Sequence, residues 1–137
     1  MTRHSNLKEN GEMLPANKPE SWNAKMLISG EPLITDEQFE KLLANAPKSL
    51  AAMQRHDPVP IVKIFLPHVR WILGWIYPND LNRVFAVMKW GNDKPEAGEF
   101  LLSDIVNSRL GSVSPERDKY ITLDQPLSHY LRDKDAW

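Results

Sequence analysis

Residues 60–106, PIVKIFLPHVRWILGWIYPNDLNRVFAVMKWGNDKPEAGEFLLSDIV, decide the fold. They divide into PIVKIF (60–65), VRWILGWIY (69–77), RVFAVMKW (83–90) and GEFLLSDI (98–105), rich in β-branched and aromatic residues. Between them lie turn signals at Pro67-His68, Pro78-Asn79-Asp80 and Gly91 to Pro95. Gaps this short admit only hairpins, because a parallel crossover needs about a dozen connecting residues or more. The reading is an antiparallel meander.

Side chains alternate along each run with the period of an extended chain. In the first strand Ile61, Lys63 and Phe65 oppose Val62, Ile64 and Leu66, and Lys63 marks the wetter face. In the second, Val69, Trp71, Leu73, Trp75 and Tyr77 alternate with Arg70, Ile72, Gly74 and Ile76. A strand apolar on both sides is expected at the centre of a sheet covered on each face. The available covers are helices over 35–46 and 103–109, and Gly74 marks an expected bulge or close backbone approach.

Working outward, Thr35 and Gln38 have the spacing of a reciprocal N-terminal cap. Behind them Phe39, Leu42, Leu43 and Ala46 fall on one helical side, with Glu37, Glu40, Lys41 and Asn45 on the other, until Pro47. Leu50, Ala51 and Met53 allow a second short helical piece, and His56-Asp57-Pro58-Val59-Pro60 forces an extended connector into the sheet. After the meander, Ser103 is the expected cap of a helix stopped by Gly111. Tyr120-Ile121-Thr122 is a candidate edge strand, and Pro126 to Leu131 a last helical turn. The fold class is α+β: four or five meandering strands, an N-terminal helix and short C-terminal helices.

Residues 32–137 make one such domain, and residues 1–31 an N-terminal arm. The arm is rich in Asn, Lys, Glu and Pro, and its apolar cluster is Trp22, Met26, Leu27 and Ile28. Its ordering requires packing on its own domain or on a partner.

The full chain of 137 residues carries 17 basic and 18 acidic side chains, for a net charge of −1, which argues against a nucleic-acid binder working by bulk charge. No Cys is present, so disulfides and thiolate chemistry are excluded. The longest nearly apolar run, Trp71 to Tyr77, falls far below the roughly 18 residues of a membrane span. The polar N-terminus has no signal-peptide core, and the expectation is a soluble, cytoplasmic protein.

Few residues pair as chemistry requires, and no catalytic residue, metal or cofactor is assigned. His56 and Asp57 are neighbours in a Pro-rich loop without a marked nucleophile. His68 and His129 have no nearby carboxylates to complete a metal site. Glu116, Arg117 and Asp118 form the strongest polar block, read as ion pairs holding a loop to the sheet. Glu96 and Glu99 are expected to be solvated edge charges. The aromatics Trp71, Trp75, Trp90, Tyr77 and Phe85 are interleaved with Arg70, Arg83 and Lys89, as on sheets that stack single-stranded bases. Core packing is the favoured explanation for most of them. The tentative binding set is Trp22, Arg70, Trp75, Arg83, Lys89 and Trp90.

The segment order LITDEQFEKLLANA, DPVPIVKIF, GEFLLSDI, PERDKYI and PLSHYL, over about residues 33 to 132, resembles a bacterial family known only as a domain of unknown function. The resemblance implies small single-domain proteins carried on plasmids, integrative elements and phages. The family usually follows its tryptophan-bearing second strand with acidic residues. This chain has Trp75-Ile76-Tyr77-Pro78 there, so no acidic site carries over, and the arm lies outside the pattern. What the resemblance implies is a non-enzymatic interaction protein of a mobile element, binding a host or element protein. Inhibition of a host defence system, as by an anti-CRISPR, is one form of this. Two alternatives stay open: a single-stranded nucleic-acid accessory protein using Trp and Arg on the sheet, and a small enzyme using Glu116, Asp118 and a His.

Overall fold

A computed structural model of the chain describes residues 32–137. Strands β1 (Val62–Leu66), β2 (Val69–Tyr77), β3 (Asp80–Trp90) and β4 (Glu96–Leu101) follow one another as antiparallel hairpins, as their spacing predicts. A fifth strand, β5 (Glu116–Arg117), returns to pair with β1, and the sheet order is β4-β3-β2-β1-β5.

That fifth strand is the polar block itself and not Tyr120 to Thr122. Asp118 explains the difference, because its carboxylate accepts the backbone N–H groups of both Tyr120 (2.9 Å) and Ile121 (3.1 Å). Side-chain capture of this kind folds the backbone into a turn and removes its donors from any ladder. Tyr120 is left 95 % exposed.

Helix α1 (Asp36–Ala44) has the expected reciprocal cap: Gln38 N–H donates to Thr35 Oγ1 at 3.1 Å and Thr35 N–H to Gln38 Oε1 at 3.0 Å. Its C-cap, Asn45, donates its side-chain amide to the carbonyls of Val59 (2.8 Å) and Gly74 (3.0 Å), which ties the helix end to the connector and to β2. Helix α2 (Leu50–Met53) is a single turn capped by Ser49.

Helix α3 (Leu102–Val106) is shorter than the sequence predicts, and Ser103 does not cap it. Ser103 instead exchanges two hydrogen bonds with the Asn82 side chain on β3, at 2.9 and 3.0 Å. Gly111 lies beyond the helix in a tight turn closed by Leu110 and Val113. Its φ of +61° there suits glycine. Helix α4 (Leu127–Arg132) follows Pro126, and a 3-10 turn (Lys134–Ala136) ends the chain.

The covers are distributed differently from the alternation reading. Phe39 and Leu42 of α1 and Leu102, Ile105 and Val106 of α3 all enter one core, over Val62, Ile64, Trp71, Leu73, Ile76 and Val84. The opposite face is closed by the C-terminal segment, with Leu127 and Tyr130 packing on Ile72, Trp75 and Val87. A register shift between Leu73 and Trp75 causes the second departure. The extra residue at this bulge inverts the alternation, so Trp75 and Tyr77 lie on the face opposite Trp71 and Leu73. Gly74 makes this possible, because a Cβ there would sit 2.4 Å from Leu127 Cδ1.

Candidate functional site

Residues directly opposite one another on paired strands share a sheet face. Lys63 lies opposite Ile72, which lies opposite Val87, and Phe65 lies opposite Arg70, which lies opposite Lys89. Ile72 and Val87 belong to the core under α4. Lys63, Phe65, Arg70 and Lys89 therefore occupy that same face, and Lys63 and Lys89 are buried.

The cations there differ in how they are balanced. Lys63 forms an ion pair with Asp118 (Nζ to Oδ2, 3.3 Å), and the Asp118 N–H donates to the Lys63 carbonyl at 2.9 Å. Burial alone would raise the Asp118 carboxyl. The Tyr120 N–H, the Lys63 ammonium and the Ile121 N–H outweigh it and hold the group below its ordinary value. Lys89 is 5 % exposed and donates to the Lys134 carbonyl at 2.8 Å. Burial, then the Arg70 guanidinium, lowers its pKa, with Lys134 and Lys63 adding to the effect and Asp135 opposing it. Among the described residues neither Arg70 nor Lys89 forms an ion pair.

The β3–β4 loop and the C-terminal segment form a groove of about 590 Å³, lined by Lys94, Pro95, Leu131, Arg132 and Lys134. Its wall is apolar at Pro95 and Leu131, its charged side chains are all basic, and Lys134 joins it to Lys89 through the carbonyl bond. Lys94, Arg132 and Lys134 were invisible to sequence reasoning. They are interrupted by Asp93, Asp133 and Asp135, and two distant stretches of chain supply them. Only the hairpin and α4 bring them together.

Of the tentative binding set, Arg70 and Lys89 are thus neighbours, whereas the others stand apart. Trp22, with Met26, Leu27 and Ile28, lies outside the described residues. Trp75 is 2 % exposed, stacked on Phe85 at 4.4 Å with His56 at its edge. Trp71 is buried in the other core. Trp90 is 46 % exposed and packs on His68, but its register opposite Val69 places it on the face away from Lys89. Arg83, near the other end of β3, pairs with Glu99 (3.1 Å) and Asp80 (3.3 Å). Glu99 also accepts from the Tyr77 hydroxyl at 2.9 Å. Burial and this carboxylate push the Tyr77 hydroxyl up to about 12.

The polar candidates for chemistry are engaged in structural bonds. His56 bonds the Asn45 carbonyl, while Asp57 turns away from it to accept the Ser128 N–H (2.9 Å) and hydroxyl (2.5 Å) at the start of α4. The Arg117 guanidinium donates to the carbonyls of Pro32 (2.8 Å) and Leu33 (3.2 Å), fastening the start of the domain to the sheet edge. Glu116 lies opposite Phe65 and is exposed. His129 packs edge-on to Tyr130. Among the described residues no group of three or more His, Asp or Glu side chains could hold a metal, and no helix is long and apolar enough to cross a membrane.

No curated protein and no solved structure matches the chain. A family model described as "Protein of unknown function (DUF2958)" matches residues 33–136, which is nearly the whole folded region and includes both the cation pair and the basic groove. The chain belongs to this family.

Proposed function

We propose that this is a non-enzymatic binding protein of a mobile genetic element, acting in the cytoplasm by docking on a host or element-encoded protein, with inhibition of a host defence complex such as a CRISPR effector as one such role. The observation that carries the reading is the contrast in how polar groups are used. His56, Asp57, Arg117 and Asp118 are bonded internally, whereas Lys94, Arg132 and Lys134 gather around an apolar-walled groove. Grooves that combine apolar contact with unbalanced charge suit protein partners of opposite charge. Carriage on plasmids, integrative elements and phages, implied by the family resemblance, supports the setting.

A single-stranded nucleic-acid role draws less support, since stacking needs exposed aromatic faces beside the cations. Trp75 is covered, and Trp90 is on the opposite face. Purification of the full chain from its host, with and without nuclease, separates the readings. The binding-protein reading expects a stoichiometric protein partner retained after nuclease and lost from a Lys94→Glu/Arg132→Glu variant. It fails if no protein is retained, or if nuclease releases everything.

A further inference from the structure

Arg70 and Lys89 are a costly arrangement for a sheet. Like charges directly opposite on neighbouring strands destabilise the pairing, and the Lys89 residue as a whole is only 5 % exposed. Of the three ammonium donors, one goes to the Lys134 carbonyl. Lys63 adds a third cation on the same face, and its carboxylate, Asp118, is already paired with it. Asp135 acts on Lys89 from a distance without forming an ion pair. Uncharged side chains of similar length would pack here with less electrostatic cost. Through its bond to the Lys134 carbonyl, Lys89 is tied to a groove whose charged side chains are all basic and whose wall is apolar.

We propose that Arg70 and Lys89 form the anchor of a docking site for an acidic segment of a partner protein. One partner carboxylate is held by the Arg70 guanidinium with the Lys89 ammonium beside it adding charge, further carboxylates face Lys94, Arg132 and Lys134, and an apolar side chain rests on Pro95 and Leu131. The proposal rests on the binding-protein reading and deepens it by giving the partner's chemistry. Separated carboxylates fit this surface better than a continuous phosphate backbone. A protein segment also supplies an apolar side chain for Pro95 and Leu131, which a sugar-phosphate backbone lacks. The planar Arg70 fork matches a carboxylate in bidentate geometry, and the ammonium completes the charge.

The test uses the full chain and a fluorescein-labelled peptide of sequence EELEELEE, with an oligothymidylate of equal charge as comparison, read by anisotropy. Saturable peptide binding that weakens with salt is expected, and Arg70→Gln and Lys89→Met should each weaken it by about tenfold or more. Arg70→Gln should melt no lower than the wild type, because it removes repulsion while Lys89 keeps its bond to the Lys134 carbonyl, so its lost binding is not lost folding. The proposal is overturned by absence of saturable binding, by unchanged affinity in both variants, or by tighter binding of the oligothymidylate. A host partner retained by both variants would overturn this anchor and leave the binding-protein reading intact. Peptide binding in a chain that captures no host protein would overturn only that broader reading.

Discussion

On one face of the sheet α1 and α3 bury Phe39, Leu42, Leu102 and Ile105 over Ile64, Leu73 and Val84. On the other, α4 and the last turn bury Leu127 and Tyr130 beside two lysines and an arginine. The first face is built from apolar atoms, each fully buried side chain contributing roughly 1.5–3 kcal/mol. The second mixes a small apolar patch with an ion-paired lysine, Lys63, and two facing cations, Arg70 and Lys89, that repel each other. On the binding proposal, stability and recognition are divided between the two sides of one sheet, and the C-terminal segment both closes the second core and lines the groove. The division can be broken by substitutions whose effects should differ in size and sign.

The largest effect is expected from the α1 face. Phe39→Ala should cost about 3–5 kcal/mol by urea denaturation, because the ring is 2 % exposed and a cavity would be left beneath the helix. A cost near zero would mean that this face does not dominate. Next comes Gly74→Ala, where the added methyl meets Leu127 and should cost about 1–3 kcal/mol. Combined with Leu127→Ala, which removes the obstructing side chain, the double variant should be more stable than the sum of the single costs predicts. Strict additivity would show that α4 does not rest on the bulge.

A smaller, pH-dependent effect belongs to the Lys63–Asp118 pair that joins β5 to the charged face. The carboxyl is held below its ordinary value in the folded chain, so on acidification the unfolded chain takes up its proton first. Its stabilising contribution is present at neutral pH and above, and is lost as pH falls through the acid range below the ordinary carboxylate value. Asp118→Asn should lower stability at pH 7 and flatten the acid limb of a stability-against-pH curve. An acid limb identical to that of the wild type would remove the pair from the account.

How much of this was legible in the chain depended on the range of the interaction that decides each feature. The hairpins followed from short gaps, and α1 from the Thr35–Gln38 spacing, because local geometry settles both. The inverted alternation after Gly74 was not legible, although the glycine itself marked the place. Strict period two cannot show which residue a bulge adds. Assignment of α1 and α3 to one face depends on where β4 delivers the chain. The fifth strand was displaced by a single side chain, Asp118, taking two backbone donors. Of the site, Arg70 and Lys89 could be named, but their neighbours in the groove are supplied by a loop and a helix distant in sequence.

Whether the cation-bearing face receives a partner is decided by titrating isotope-labelled full-length chain with the EELEELEE peptide and following backbone amide resonances. The expected shifts centre on Arg70, Lys89, Lys94, Arg132 and Lys134, with Leu42 and Ile105 unmoved. Shifts concentrated on α1 or around Trp90, or no shifts at a saturating peptide concentration, would contradict it.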